Sequence, residues 1–240
     1  MAVEEILGLS EIQGNIVAGF NKPFMTFVYL RVQDSAAAWL WLRDLAPEIT
    51  TAAAANDAKV MFRGLRVLRF PTNAIVGPAV VSVGIGAAFL RALGFAPQAL
   101  KDASFVNGLE MQSPFLGDPV GASRGAPGGW IVGNSANPLD LLLIVGSEDA
   151  LTVADKVASL RADAEAHGFR VIAMDEGKSR ADQPGHEHFG FNDGISQPAI
   201  RGRKSASLSD FLEERHIDPN DPINSIPGSP EFAAAGKPLV

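Results

Sequence analysis

The stretch His188-Phe189-Gly190-Phe191-Asn192-Asp193-Gly194-Ile195-Ser196-Gln197-Pro198 holds one carboxylate between two glycines, with two phenylalanines before it and a polar run after it that ends at a proline. Glycines on both sides let the backbone approach another surface and take turns that a Cβ would forbid, so a planar ligand could lie directly over Asp193. Asn-Asp-Gly is also turn chemistry, because Asn and Asp tolerate the left-handed region and bond to their own backbone. The residues alone leave both readings open, a site or a tight turn. Just upstream, His186-Glu187-His188 places two histidines beside a carboxylate, a pattern that binds a transition metal only when a third spaced ligand joins it.

Composition limits what such residues could serve. The 240 residues suffice for one large or two small domains, and 47% hydrophobic content is ample for a buried core. Twenty basic residues against 27 acidic ones give a net charge of -7 with no basic stripe, so no nucleic-acid partner is expected. The group Arg201, Arg203, Lys204 reads as a solvated loop. With no cysteine, disulfides, thiolate metal sites and a thiolate-ligated haem are excluded. The start, Met1-Ala2-Val3-Glu4-Glu5, is acidic and leads to no apolar segment, and no apolar run approaches membrane-spanning length. A cytoplasmic protein without a membrane partner is the expectation.

Several elements must position the Asp193 stretch. Residues 24 to 32 read as a first strand, rich in aromatic and β-branched types. Asp34 and Ser35 cap a helix through Ala46, limited by Pro47, with Trp39 and Trp41 expected to pack in the core. Val80 to Ile85 reads as a second strand, followed by a helix from Ala87 to Leu93 that Gly94 ends. Gly84-Ile85-Gly86 sits where a dinucleotide fingerprint would, but Phe89 occupies the third glycine position and obstructs the close packing that glycine permits. Residues 104 to 138 show no clear periodicity and read as a long loop anchored by Trp130 and Ile131.

Leu139 to Val145 reads as a strand buried on both faces, and Glu148 to His167 as a helix with Val153, Val157, Leu160 and Ala164 on one face. Gly168 stops it, and Phe169 to Met174 makes a fourth strand. The order β, α, β, then β, α, β predicts an α+β, ferredoxin-like sandwich, a split βαβ arrangement with helices on one face of an antiparallel sheet. Residues 1–175 form this domain. Residues 176–240, dense in Gly, Pro, Asp and Asn with a helix only at Leu208 to His216, form a segment that needs a partner surface.

Gly190-Phe191-Asn192-Asp193-Gly194 followed by Ile195-Ser196-Gln197-Pro198 resembles the GxxDG signature of the dye-decolorizing peroxidases, a family of haem peroxidases. Ile12-Gln13-Gly14-Asn15-Ile16 with Gly19-Phe20, the Leu93-Gly94 helix end and Leu116-Gly117-Asp118-Pro119 resemble the same family in the same order. The resemblance implies an oxidoreductase with haem b that reduces hydrogen peroxide and oxidises dyes or phenolic compounds. It gives Asp193 the role of distal proton shuttle and sets Asn192, Gly194, Ile195, Ser196 and Gln197 around the haem. Splitting peroxide heterolytically needs a proton moved from the inner to the outer oxygen by one side chain in reach. Packing against Phe189, Phe191 and a haem face would desolvate Asp193 and raise its pKa to suit mildly acidic pH.

The family is built from two ferredoxin-like units, and its haem-ligating histidine and distal arginine come from the second. None of His167, His186, His188 and His216 corresponds to that ligand, so no metal ligand is assigned here. The resemblance therefore implies the N-terminal part of a peroxidase, inactive by itself, whose partner is a complementary C-terminal half or another copy. Two other readings use the same fold: a non-catalytic binding module, and a small-molecule enzyme built from a single sandwich.

Overall fold

The computed structural model describes residues 8–17, 19–69, 77–96, 102–121 and 123–192. Leu9–Pro184 form one unit, and Gly8 and residues 185–192 belong to a second.

Strand β1, Phe24–Val32, alternates as a half-covered strand should: Thr26, Val28 and Leu30 are buried, while Phe27 and Tyr29 point to the other side. A short helix α1, Gly14–Val17, precedes β1, and helix α2, Ser35–Leu45, starts after it where Asp34 accepts hydrogen bonds from the Ala36 and Ala37 N–H groups at 2.9 and 3.1 Å. Its buried face is Ala38, Trp41, Leu42 and Leu45. Trp39 departs from the expectation and is 47% exposed. Two residues are roughly 200° around a helix, so Trp39 and Trp41 cannot both face the sheet.

Between β1 and residue 80 the sequence predicts one helix, and the described residues there hold two α-helices. Helix α3, Ala52–Val67, is capped by Thr51 Oγ1, which accepts from the Ala54 N–H at 3.2 Å. Its only fully buried residues are Ala52 and Ala55, while Val60, Met61 and Val67 are exposed. Ala58, Phe62 and Leu65 follow Ala55 at helical spacing but are only half-buried, so the helix presents a weak apolar face.

Strand β2, Val80–Ile85, has the predicted bounds, and helix α4 follows at Ala87–Ala92, with Gly94 at φ +90° after it. Between them, a Cβ on Gly86 would lie 2.3 Å from the Leu139 carbonyl oxygen, so the glycine is there for strand-to-helix closeness. Phe89 is fully buried, its ring 6.0 Å from that of Phe169 and edge-on to it.

The predicted loop from 104 to 138 is partly helical: α5 is Ala103–Asn107, α6 is Leu109–Leu116, and Pro127–Gly129 is a 3-10 turn. Pro114 lies within α6, and Leu109, Met111, Phe115 and Leu116 are exposed, so neither periodicity nor propensity marked the helix. Trp130 and Ile131 do not anchor the loop to the core. Ile131 is 72% exposed, and the Trp130 indole donates to the Gly125 carbonyl at 3.0 Å within its own loop. The buried anchor is Asn134, whose amide donates to the carbonyls of Pro127 and Trp130 and whose oxygen accepts from the Asn137 N–H.

Strand β3, Leu141–Ser147, starts two residues later than predicted, because the Asp140 carboxylate caps the neighbouring strand by accepting from the Val32 N–H at 2.9 Å. Leu141, Leu143 and Val145 are fully buried, but Leu142 and Ile144 are only half-buried, so the strand is not enclosed equally on its two faces. Helix α7, Ala150–Ala166, begins after Asp149, whose carboxylate accepts from the Thr152 N–H at 2.8 Å. Val153, Val157, Leu160 and Ala164 are its buried face, as predicted. Strand β4, Phe169–Lys178, runs four residues beyond the predicted end, its last part paired to β1.

The sheet order is β2-β3-β1-β4, with every neighbouring pair antiparallel, which is the ferredoxin-like topology. Between Tyr29 and Leu30 the β1–β4 register shifts by one residue, a bulge on β4. One core joins α2 and α7 to one face of the sheet through Trp41, Leu45, Val157 and Leu160 against Val28, Leu30, Leu143 and Val145. Each such aliphatic or aromatic side chain contributes about 1.5–3 kcal/mol when buried. The opposite face carries Met25, Phe27, Tyr29, Leu142 and Ile144, none fully buried. Among the described residues no helix is long and apolar enough to cross a membrane.

The outer margin of β2 is closed by two short connections. Val81 exchanges hydrogen bonds with Thr50, donating to its Oγ1 at 3.0 Å and accepting from its N–H at 2.9 Å. Val83 does the same with the Gln13 side chain, donating to Oε1 at 2.8 Å and accepting from Nε2 at 2.9 Å. A primary amide has one donor and one acceptor side, as a peptide group has, so Gln13 stands in for a neighbouring strand. Gly14 follows it because a Cβ there would come within 2.8 Å of Ala55 Cβ and 2.9 Å of the Thr51 carbonyl oxygen.

Candidate functional site

The residues leading to Asp193 form a tight turn from 185 to 192. His186 and Asn192 pair across it as an isolated antiparallel bridge, and the Glu187 N–H donates to the Phe191 carbonyl at 3.0 Å. The Gly190 N–H donates to the Glu187 carbonyl at 3.0 Å, and Gly190 takes φ +101°, a conformation open to glycine. The Glu187 carboxylate completes the turn. Oε2 accepts from the Phe189 N–H and Oε1 from the Phe191 N–H, both at 2.7 Å. These are charge-assisted bonds to backbone, stronger than neutral ones.

With its backbone consumed internally, the turn directs its aromatic side chains outward. Phe189 is 91% exposed and Phe191 74% exposed. The expectation that both rings pack against the aspartate falls on Asp193, which lies outside the described residues. Asn192 is exposed, and its Oδ1 lies 3.7 Å from the place a Cβ on Gly185 would take. Of the predicted site residues, Asn192 is thus placed on this turn, whereas Asp193, Gly194, Ile195, Ser196 and Gln197 lie outside the described residues, as do His216, the Arg201, Arg203, Lys204 group and the predicted Leu208 to His216 helix.

The histidines divide by environment. His186 Nδ1 is buried with no hydrogen-bond partner among the described residues, while His188 is exposed. His167, at the end of α7, brings Nδ1 within 2.7 Å of the Asp163 carbonyl oxygen, a side-chain contact to the carbonyls of the helix's last turn. Among the described residues no cluster of three or more His, Asp or Glu side chains is placed to hold a metal ion.

Elsewhere, two polar pairs that the sequence did not reveal join strand to strand and helix to helix. The Tyr29 hydroxyl donates to Asp175 Oδ2 at 2.9 Å across β1 and β4. Burial, then the hydrogen bond and charge of Asp175, hold the Tyr29 hydroxyl above its ordinary pKa. The second pair, Trp41 with Asp163, links α2 to α7. Glu187 could have been suspected from its place two and four residues before the amides that it binds, because a short-range carboxylate to backbone bond is ordinary turn chemistry. Long-range pairs such as Tyr29 with Asp175 need the register, which no local pattern supplies.

An antiparallel sheet in the order β2-β3-β1-β4 with a helix layer on one face defines an α+β barrel-type, ferredoxin-like domain. Residues 11–181 match the family model described as the DyP dimeric alpha+beta barrel domain, and the chain belongs to the dye-decolorizing peroxidase family. It is 30% identical over 205 residues to Peroxidase 2 of Mycetinis scorodonius, covering 83% of this chain and 35% of that relative. To the dye-decolorizing peroxidase msp1 of the same organism it is 27% identical over 198 residues, covering 82% and 34%. The solved structure of an ancestral D-type dye decolorizing peroxidase superposes with a TM-score of 0.69 at 28% identity, covering 83% of this chain and 41% of that one. The chain thus spans about a third of the length of the curated relatives that it matches.

Proposed function

We propose that this chain supplies the N-terminal, distal part of a haem-dependent peroxidase that reduces hydrogen peroxide and oxidises dyes or phenolic compounds, with Asp193 as its proton-transferring group. The observation that carries the reading is the turn at 185–192, which ends one residue before Asp193 in a chain of this family. Exposed phenyl rings at 189 and 191 and flanking glycine backbone suit a flat apolar macrocycle, so the residues present fit the open side of a haem. Asn192, Gly194, Ile195, Ser196 and Gln197 are the residues proposed to line it. None of the described histidines suits the opposite side: His167 is bonded within α7, and His186 and His188 sit on the turn that precedes Asp193 in the sequence. The iron's ligand and the distal arginine are proposed to come from a second unit of the family's kind.

Asp193 would accept a proton from the inner oxygen of peroxide at one carboxylate oxygen and return it to the outer oxygen, which leaves as water. Covering by the phenyl rings and the haem would remove water from that carboxyl and raise its pKa, favouring activity at mildly acidic pH. When bound, the haem supplies the electrons that the O–O bond takes up and regains them from the organic reductant. The half-buried face with Met25, Phe27, Tyr29, Leu142 and Ile144 is the surface proposed for a second sheet, from a complementary half or another copy. The site of action is proposed to be the cytoplasm.

The test is haem loading and peroxide-dependent dye bleaching by the 240-residue chain, alone and with a complementary C-terminal half. Bleaching only with that half, and lost in Asp193→Asn, is the expected result. A pH profile indifferent to Asp193→Asn removes the proton-transfer role.

A further inference from the structure

Two carboxylates stand six residues apart in this segment, Glu187 and Asp193, and acid–base chemistry could be assigned to either by type. The turn separates them. Both oxygens of Glu187 accept backbone N–H groups, from Phe189 and Phe191 at 2.7 Å each, and its own N–H and carbonyl close the turn through Phe191 and Gly190. One residue thus takes part in four hydrogen bonds of a turn that, at Asn192, runs into Asp193.

We infer that Glu187 is a positioning residue, a backbone clamp that fixes the path of the chain into Asp193 and turns Phe189 and Phe191 outward. This rests on the proposed role of Asp193. Its physical basis is that backbone amides engaged by a carboxylate cannot rearrange without breaking charge-assisted bonds. A reacting group held by such a frame keeps its approach geometry, and a displacement of about 1 Å is enough to cost on the order of a hundredfold in rate. Glutamine is the informative replacement, since it keeps one acceptor oxygen and exchanges the other for a donor.

The experiment has two arms. In the full chain, amide hydrogen exchange at Phe189 and Phe191 is compared for the unsubstituted protein, Glu187→Ala and Glu187→Gln. In the haem-loaded assembly with the complementary half, dye bleaching against pH is measured for the same variants and for Asp193→Asn. The expected result is exchange faster by about tenfold or more at both amides in Glu187→Ala, in line with losing charge-assisted bonds. Glu187→Gln should keep protection at one amide. Turnover should fall by about 10–100-fold in Glu187→Ala, recover in part in Glu187→Gln, and keep its pH midpoint in both.

Unchanged exchange in Glu187→Ala overturns the clamp. Faster exchange with undiminished turnover overturns the positioning role, and a lost pH dependence makes Glu187 itself the proton carrier, which also overturns it. Full activity in Asp193→Asn defeats the proposed function and the positioning role together, while the exchange arm still decides whether the clamp exists.

Discussion

The indole N–H of Trp41 donates to Asp163 Oδ2 across 2.7 Å, tying α2 to α7 at the rim of the core. Trp41 is 3% exposed, and its ring stands edge-on to Phe169 with centroids 5.2 Å apart. Asp163→Ala leaves that N–H without its partner and should destabilise the domain by about 1–3 kcal/mol. Asp163→Asn keeps an acceptor oxygen and should cost less. Urea unfolding followed by tryptophan fluorescence measures both, and equal stability of Asp163→Ala and the unsubstituted chain would show that the bond contributes nothing.

Gln13 makes a sharper demand on chemistry. Its amide must donate to the Val83 carbonyl while its oxygen accepts from the Val83 N–H and from the Ser82 hydroxyl at 2.6 Å. Gln13→Glu preserves shape but removes the donor and sets a charge against a carbonyl. It should therefore lose about 1–3 kcal/mol despite being nearly isosteric. Thermal unfolding distinguishes this from a pure packing role, in which Gln13→Glu would be tolerated.

Gly86→Ala places a Cβ 2.3 Å from the Leu139 carbonyl oxygen, and backbone on both sides must separate to admit it. Overpacking of this kind costs about 1–3 kcal/mol or more. Gly84→Ala, two residues earlier on β2, meets nothing nearer than Leu142 Cβ at 3.7 Å and should be far milder. Comparison of the two variants' midpoints in the same denaturant checks the contrast.

Tyr29 is the sole tyrosine, so its ionisation can be followed by ultraviolet absorbance without ambiguity. Its folded pKa is raised by burial and by Asp175. The associated stability is full below the ordinary tyrosine value of about 10 and is lost as pH rises through the folded value. Asp175→Asn removes the charge and should move the titration downward toward the ordinary value. An unmoved titration would mean that Asp175 has no part in it.

How much of this was readable in the sequence depends on whether the signal was local. β1 and β2 show in runs of β-branched and aromatic residues, and α7 in the spacing of Val153, Val157, Leu160 and Ala164. Helix α3 fully buries only alanines and exposes its valines, so no large apolar side chain marked it for the core, and α6 holds a proline that local propensity places outside helices. At the site, the glycine-flanked carboxylate stands out by residue type, but the role of Glu187 follows only from where its two oxygens end up. The same holds for Gln13, a motif residue whose work is visible only once β2 has been folded beside it.

The closed margin of β2 gives the sheet a direction. Thr50 and Gln13 occupy the outward groups of Val81 and Val83, leaving no vacancy there for an incoming peptide. A foreign strand, whether from a misfolded copy or an aggregating fragment, would first have to break these four bonds before it could pair along the middle of β2.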